Sequence, residues 1–278
     1  MVRGENIGRA VIAWAEQEPS VRALVLIGSR VHADGVRAAD EFSDWDFQLI
    51  TDRPALFETA AWMREIGCGA PLAYVVRPGR LGSATKVSMV LQEGEMDLVV
   101  LPHSRLRQAK SLLRLGLVSR RASMAQALGG LASVLRGGYR VVKGERAWGD
   151  FFRRVATEIP PPRLSDNDAR RLAEGFVCDF VSTRRKIARK EFLAAQRWLH
   201  HQLAEVNFQL FHELRQRRGA VSLPDARRIE RLASEWPEYE VNATPTTESL
   251  HAATEKSADT LRGLMKALVG ETWRWPDV

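Results

Sequence analysis

Residues 21–30 read VRALVLIGSR, and residues 43–51 read SDWDFQLIT. The first stretch carries an apolar, β-branched run, Val21 to Ile27, that reads as a buried strand. Gly28 ends it, where a residue without a side chain lets backbone approach a ligand closely. Ser29 and the amides after it suit phosphate oxygens. Arg30 meets either a phosphate or a surface carboxylate. The second stretch alternates from Trp45 to Thr51 and reads as another strand. That alternation puts Asp44 and Asp46 on one face. Two carboxylates so close repel, and ionised together they need a cation. Hard oxygen ligands at this spacing suit Mg²⁺ bridging the phosphates of a nucleotide.

Asp97 stands alone inside the apolar run Met96 to Leu101. Burying it costs several kcal/mol unless it finds a metal or a donor. A third ligand position at the same site would relieve that cost. Spacing alone decides little, because Asp166 and Asp168 repeat it where helix capping is sufficient. Context separates the two pairs: strand, Gly-Ser, a polar loop, the pair at the head of the next strand, and a carboxylate on a later strand.

Working outward, Ile7, Ala10, Val11 and Trp14 predict an amphipathic helix over 5–17. A helix is expected over 54–66, further strands over 72–76, 86–91, 96–101 and 139–142, and mostly helix over 104–136. Pro160-Pro161-Pro162 reads as a linker. Beyond it the chain is nearly all helical. One stripe runs through Leu172, Phe176, Phe180 and Ile187, and a second from Phe192 to Leu214. Helices are also expected over 223–235 and 247–269. The expected fold class is α+β: a mixed sheet with helices in residues 1–159, then an all-α helical bundle in 160–278.

Composition agrees with a globular chain. Of 278 residues, 45% are hydrophobic and 27% charged, which excludes a mostly disordered or low-complexity chain. No apolar stretch approaches the roughly 20 residues of a membrane helix, so no membrane partner is expected. The start of the chain lacks a signal-peptide layout. Cys68 and Cys178 are too few for a disulfide framework, so a cytoplasmic setting is expected. The net charge of +7 suits an anionic partner such as a nucleotide or RNA, or simply a solvated surface.

The pattern strand-Gly-Ser, loop, Ser-Asp-x-Asp-strand, with a later strand Asp, resembles the nucleotidyltransferase superfamily with the DNA polymerase β-like fold. Gly28-Ser29-Arg30 and Asp40-Glu41-Phe42-Ser43-Asp44-Trp45-Asp46 look most like the aminoglycoside 6-adenylyltransferases, also called streptomycin adenylyltransferases. Similarity extends weakly to Tyr139–Gly144 and to Lys186–Phe192. The resemblance implies an enzyme that moves AMP from ATP to a hydroxyl of a small molecule, such as an aminoglycoside, and releases pyrophosphate. ATP would lie on Gly28 and Ser29, with Mg²⁺ held by Asp44 and Asp46, and Asp97 would be either a third ligand or the base that takes the proton of the acceptor hydroxyl. Lys143 is a candidate for neutralising the triphosphate.

Asp179, Thr183, Lys186 and Lys190 fall on one helical stripe, which is either a solvated face or a cleft wall. In the second case Lys186 binds phosphate and Asp179 meets a cationic acceptor. Glu191 is an alternative base by family analogy alone. Two other readings stay open: transfer to another acceptor, including RNA or protein, and a catalytically silent nucleotide-binding module.

Overall fold

The computed structural model describes residues 5–32, 35, 38–79, 84–232 and 242–277. The chain divides into two compact units, Met1–Pro162 and Arg163–Val278.

The first unit is built on a mixed sheet. Its strands are β1 (Val21–Ile27), β2 (Trp45–Thr51), β3 (Ala73–Pro78), β4 (Thr85–Leu91), β5 (Gly94–Pro102) and β6 (Tyr139–Lys143). Among the described residues the order is β3-β4-β5-β2-β1-β6. Among these strands β2 and β5 run parallel, and the other neighbours are antiparallel. The helices are α1 (Glu5–Gln17), α2 (Met63–Ile66), α3 (His103–Arg114), α4 (Ala122–Arg136) and α5 (Glu145–Glu158).

Alternation along the strands sorts two apolar layers. Leu24, Leu26, Phe47, Leu49, Met96, Leu98 and Val100 face one side, where Ile7, Val11 and Trp14 of α1 cover them. Val25, Ile27, Ile50 and Leu101 face the other, under Leu106 of α3, Leu131 of α4 and Phe152 of α5. Strand β1 is apolar on both faces, as its uninterrupted run implies.

Two segments of this unit differ from expectation. Residues 54–66 are not one helix but 3₁₀ turns at Pro54–Glu58 and Ala60–Trp62, followed by α2. Thr59 between the turns is extended (φ −133°, ψ 163°). Phe57 and Trp62 are both buried, and five residues of α-helix would point them about 140° apart. The break lets both enter the layer with Trp14. Helix α5 was not expected, although Trp148, Phe151, Phe152 and Val155 form a buried i, i+3, i+4, i+7 stripe.

Among the described residues the second unit is helical: α6 (Asp166–Ala188), α7 (Phe192–Trp198), α8 (Ala204–Arg217), α9 (Ile229–Leu232) and α10 (Thr247–Val269). This is the α+β organisation expected: a mixed sheet with helices, then a helical region. Ser165 starts α6 with a capping box, its side chain and that of Asp168 satisfying each other's backbone amides. Phe176, Phe180, Leu210, Leu214, Leu261 and Leu264 share the core.

The stripe expected from 192 to 214 is split by a π turn, Leu199–Leu203, between α7 and α8. Ala195, Leu199, Leu203, Asn207 and Phe211 are all buried at spacing four. In a regular α-helix that spacing drifts steadily around the axis, and a wider turn takes up the drift. Of the helix expected over 223–235, only Ile229–Leu232 forms among the described residues, and 233–235 lie outside them. Asp225, Ala226 and Arg228 hold φ near 55° there, which a regular right-handed helix excludes. Among the described residues, no helix is long and apolar enough to cross a membrane.

Candidate metal centre

Parallel pairing of β2 with β5 sets Asp46 directly beside Asp97. Both project on the face that α3, α4 and α5 partly cover, opposite Phe47, Met96 and Leu98. Asp44 lies one residue ahead of β2. The three carboxylates each offer an oxygen, and these oxygens lie within 4.8 Å of one another. All three residues are partly buried. Three converging carboxylates in a half-dry site repel strongly without a cation, and hard oxygen donors fit Mg²⁺ or Mn²⁺. The residues present therefore fit a divalent metal. Asp44, Asp46 and Asp97, expected from the sequence to act together, are brought together here.

The local sequence explains how the site is held. Gly28 has φ 77° and ψ −155°, a region essentially restricted to glycine. A Cβ on it would stand 2.4 Å from Asp46 Oδ2. Gly28 thus leaves the space that the Asp46 carboxylate fills. Ser29 opens the short 3₁₀ turn Ser29–Val31 that follows. His32 Nε2 meets the Gly137 carbonyl at 2.5 Å, which ties this loop to the start of β6.

Arg30 is engaged with the chain itself. Its Nε donates to the Asp44 carbonyl at 2.9 Å and an Nη to the Ser43 carbonyl at 2.5 Å. Its guanidinium lies 4.6 Å over the Trp45 ring. Trp45 in turn stacks on Phe47, at 5.7 Å and 7° between planes. On α1, a Cβ at Gly8 would come within 2.3 Å of the Trp45 ring, so Gly8 is the gap into which that ring fits. Ahead of the pair, Asp40 accepts from the Ser43 hydroxyl and the Phe42 amide, closing a turn that delivers Asp44 to the sheet.

Lys143 is placed elsewhere. Its ammonium donates to the carbonyls of Ala15 and Glu18, at 2.6 and 2.9 Å, at the end of α1. Burial is the main cause that pushes its pKa down. Lys143 pairs with Leu24 of β1, whereas Asp46 pairs with Ile27. At about 3.3 Å per residue it sits ~10 Å further along the sheet. The structure does not bring it to the triad.

The remaining expected residues belong to the helical unit. Lys186 lies on α6, its ammonium 4.5 Å over the Trp198 ring. Asp179 is half-buried on the same helix, and burial pushes its carboxyl up. Glu191 is exposed and precedes α7. The polar stripe itself is broken. Thr183 is fully buried and donates to the Asp179 carbonyl, and Lys190 lies past the helix end with φ 60°.

One charged neighbour of the triad was missed. Lys86 on β4 puts its Nζ 2.5 Å from Asp97 Oδ2. The short turn at Gln92 and Glu93 carried the signal, because it pairs Ser88 with Asp97 and so puts Lys86 on the same face. Gly8 and His32 gave no signal, since their partners lie far away in sequence.

Residues 1–117 match the model of the streptomycin adenylyltransferase family, and the matched segment contains all three carboxylates. The resemblance read from GSR and SDWD is borne out over those residues, and the matched family is one of nucleotidyltransferases. No curated protein matches the chain. A crystal structure of an aminoglycoside 6-adenyltransferase from Bacillus subtilis is similar at 13% identity, with 97% of this chain and 92% of that one covered and a TM-score of 0.41. A nucleotidyltransferase-like protein from Exiguobacterium sibiricum is similar at 12% identity, covering 93% and 74%, with a TM-score of 0.36.

Proposed function

From a family match that spans the whole triad, we propose that this chain transfers AMP from ATP to a hydroxyl of a small cationic acceptor, an aminoglycoside such as streptomycin. The observation that carries the reading is the convergence of Asp44, Asp46 and Asp97 on one sheet face. The acceptor oxygen bonds to the α-phosphorus as the bond to the β-phosphate oxygen breaks, and pyrophosphate leaves. Bound Mg²⁺ would offset the charge that builds on the phosphate oxygens.

Asp44 and Asp46 would hold that cation. Asp97 adds a third oxygen, and its second oxygen stands to accept the proton of the attacking hydroxyl. Gly28 and Ser29 would take the triphosphate close to backbone. Arg30 works from behind the site, holding the Ser43 and Asp44 carbonyls and so the direction in which Asp44 enters. Catalysis of this kind is mostly positioning and charge neutralisation.

In the helical unit, which we assign to the acceptor, Lys186 would meet phosphate. Asp179 and Glu191 would supply carboxylates to ammonium or guanidinium groups. The ATP supply and the absence of a membrane-length helix among the described residues favour a cytoplasmic setting. A second reading, transfer to an RNA end or a protein side chain, rests on the +7 net charge.

The test is pyrophosphate release from ATP and Mg²⁺, with and without streptomycin, with the Asp44→Asn, Asp46→Asn double variant as blank. Streptomycin-dependent release that the blank lacks supports the reading. Release that needs RNA or protein instead moves the acceptor to the second reading. Wild-type turnover matched by the blank refutes the metal centre.

A further inference from the structure

Lys86 reaches Asp97 diagonally. Its direct partner on β5 is Val99, two residues further along, and its side chain leans back to the carboxylate. The contact is only partly shielded, with 43% of the Lys86 side chain and 22% of the Asp97 side chain exposed. On the other side Lys86 pairs with Arg77 of β3, which is exposed. Like charges directly opposite on neighbouring strands are unfavourable unless an anion lies near. The triad therefore meets a positive strip that runs outward from Asp97 through Lys86 to Arg77.

An ammonium has three donors and no lone pair, so it competes with a metal for Asp97 and cannot join it. Two cations at one carboxylate oxygen repel. Where the metal takes Asp97 Oδ2, the oxygen that Lys86 holds, Lys86 must let go. Its four-carbon stem is flexible and half in water, so release costs little. The anions then nearest in the reaction are the phosphate oxygens of the nucleotide.

We propose that Lys86 is the resident counter-cation of the triad: it holds Asp97 in the metal-free protein, yields it to the metal, and moves onto the polyphosphate. This rests on the metal-centre reading above. Its consequence is that metal and nucleotide each favour the other's binding, because each removes one side of the same competition. Lys86 thus acts on metal binding through Asp97 and on the nucleotide by direct contact.

The experiment is direct Mn²⁺ binding, read by the paramagnetic resonance of the free ion, with and without α,β-methylene-ATP. It compares wild type with Lys86→Met, Lys86→Arg and the Asp44→Asn, Asp46→Asn pair. Without nucleotide, Lys86→Met should bind Mn²⁺ about fivefold tighter, the factor given by ~1 kcal/mol of half-exposed ion pair at 1.36 kcal/mol per tenfold. The gain in Mn²⁺ affinity on adding the analogue should shrink in Lys86→Met, and Lys86→Arg should behave as wild type. Mn²⁺ binding that the double Asn variant loses but Lys86→Met leaves equal or weaker overturns the role of Lys86 alone. Absence of Mn²⁺ binding in wild type, with and without the analogue, overturns the metal centre itself.

Discussion

Gly28→Ala tests the site with one methyl group. The added Cβ would stand 2.4 Å from Asp46 Oδ2, far inside contact distance, and 3.2 Å from its Cβ and Cγ. The backbone there, at φ 77° and ψ −155°, costs a residue with a side chain about 1–3 kcal/mol. Two effects should appear together. Stability should fall by about 1–3 kcal/mol, read as a melting shift of about 2–4 °C for each kcal/mol. The Asp46 carboxylate should turn away, weakening Mn²⁺ binding about 10–100-fold, as losing the support of a ligand does.

Gly67→Ala separates the two causes. Gly67 also has positive φ, 71°, yet nothing lies within 4 Å of the added methyl. It should lose about 1–2 kcal/mol of stability and keep wild-type Mn²⁺ affinity. The assays are thermal unfolding and Mn²⁺ titration on all three proteins. Gly28→Ala with wild-type Mn²⁺ affinity would refute the reasoning, because Asp46 would then hold no metal or find room that the geometry denies.

Two further outcomes follow from groups outside the triad. Burial pushes the Glu213 carboxyl up, but hydrogen bonds from Arg163, Arg217 and the Leu164 amide together outweigh it, and its pKa is lowered. A carboxyl depressed on folding stabilises above its unfolded value near 4.5 and loses that contribution as pH falls through the folded value. Glu213→Gln should therefore cost about 1–3 kcal/mol at pH 7 in a urea titration and flatten the loss of stability below pH 4.5. Lys143→Met should lower stability by about 1–3 kcal/mol through the two carbonyls it leaves at the end of α1. It should leave the KM for ATP unchanged; a tenfold rise would show that Lys143 reaches the nucleotide after all.

What could be read in the sequence was whatever depended on near neighbours. Gly28, Asp44 and Asp46 announce themselves because a strand end, a turn and an alternating strand are local. Asp97 was legible as an anomaly, a charge in an apolar run. Its pairing with Asp46 was not, since that depends on which strands lie side by side. Lys86 was within reach, because the short turn between β4 and β5 fixes its place beside Asp97. Lys143 misleads in the other direction: a lysine ending a strand near a nucleotide motif invites a phosphate, but the end of α1 presents two carbonyls first. The buried stripe of α5 was plain in its spacing and passed over, while the π turn at Leu199–Leu203 shows only in how a run of spacing four must drift.

The parallel ladder between β2 and β5 has one more consequence, for misfolding. A slip of one residue would bring Met96 beside Asp46 and turn Asp97 into the layer filled by Phe47 and Leu49. It would also turn Leu98 and Val100 out of that layer. An unpaired carboxylate in such a place costs several kcal/mol, and each displaced apolar side chain adds roughly 1.5–3 kcal/mol. A misregistered sheet is therefore strongly disfavoured at equilibrium, and the folded population carries the carboxylate cluster. The address of the reactive group and the proofreading of the sheet are written in the same five residues, Met96 to Val100.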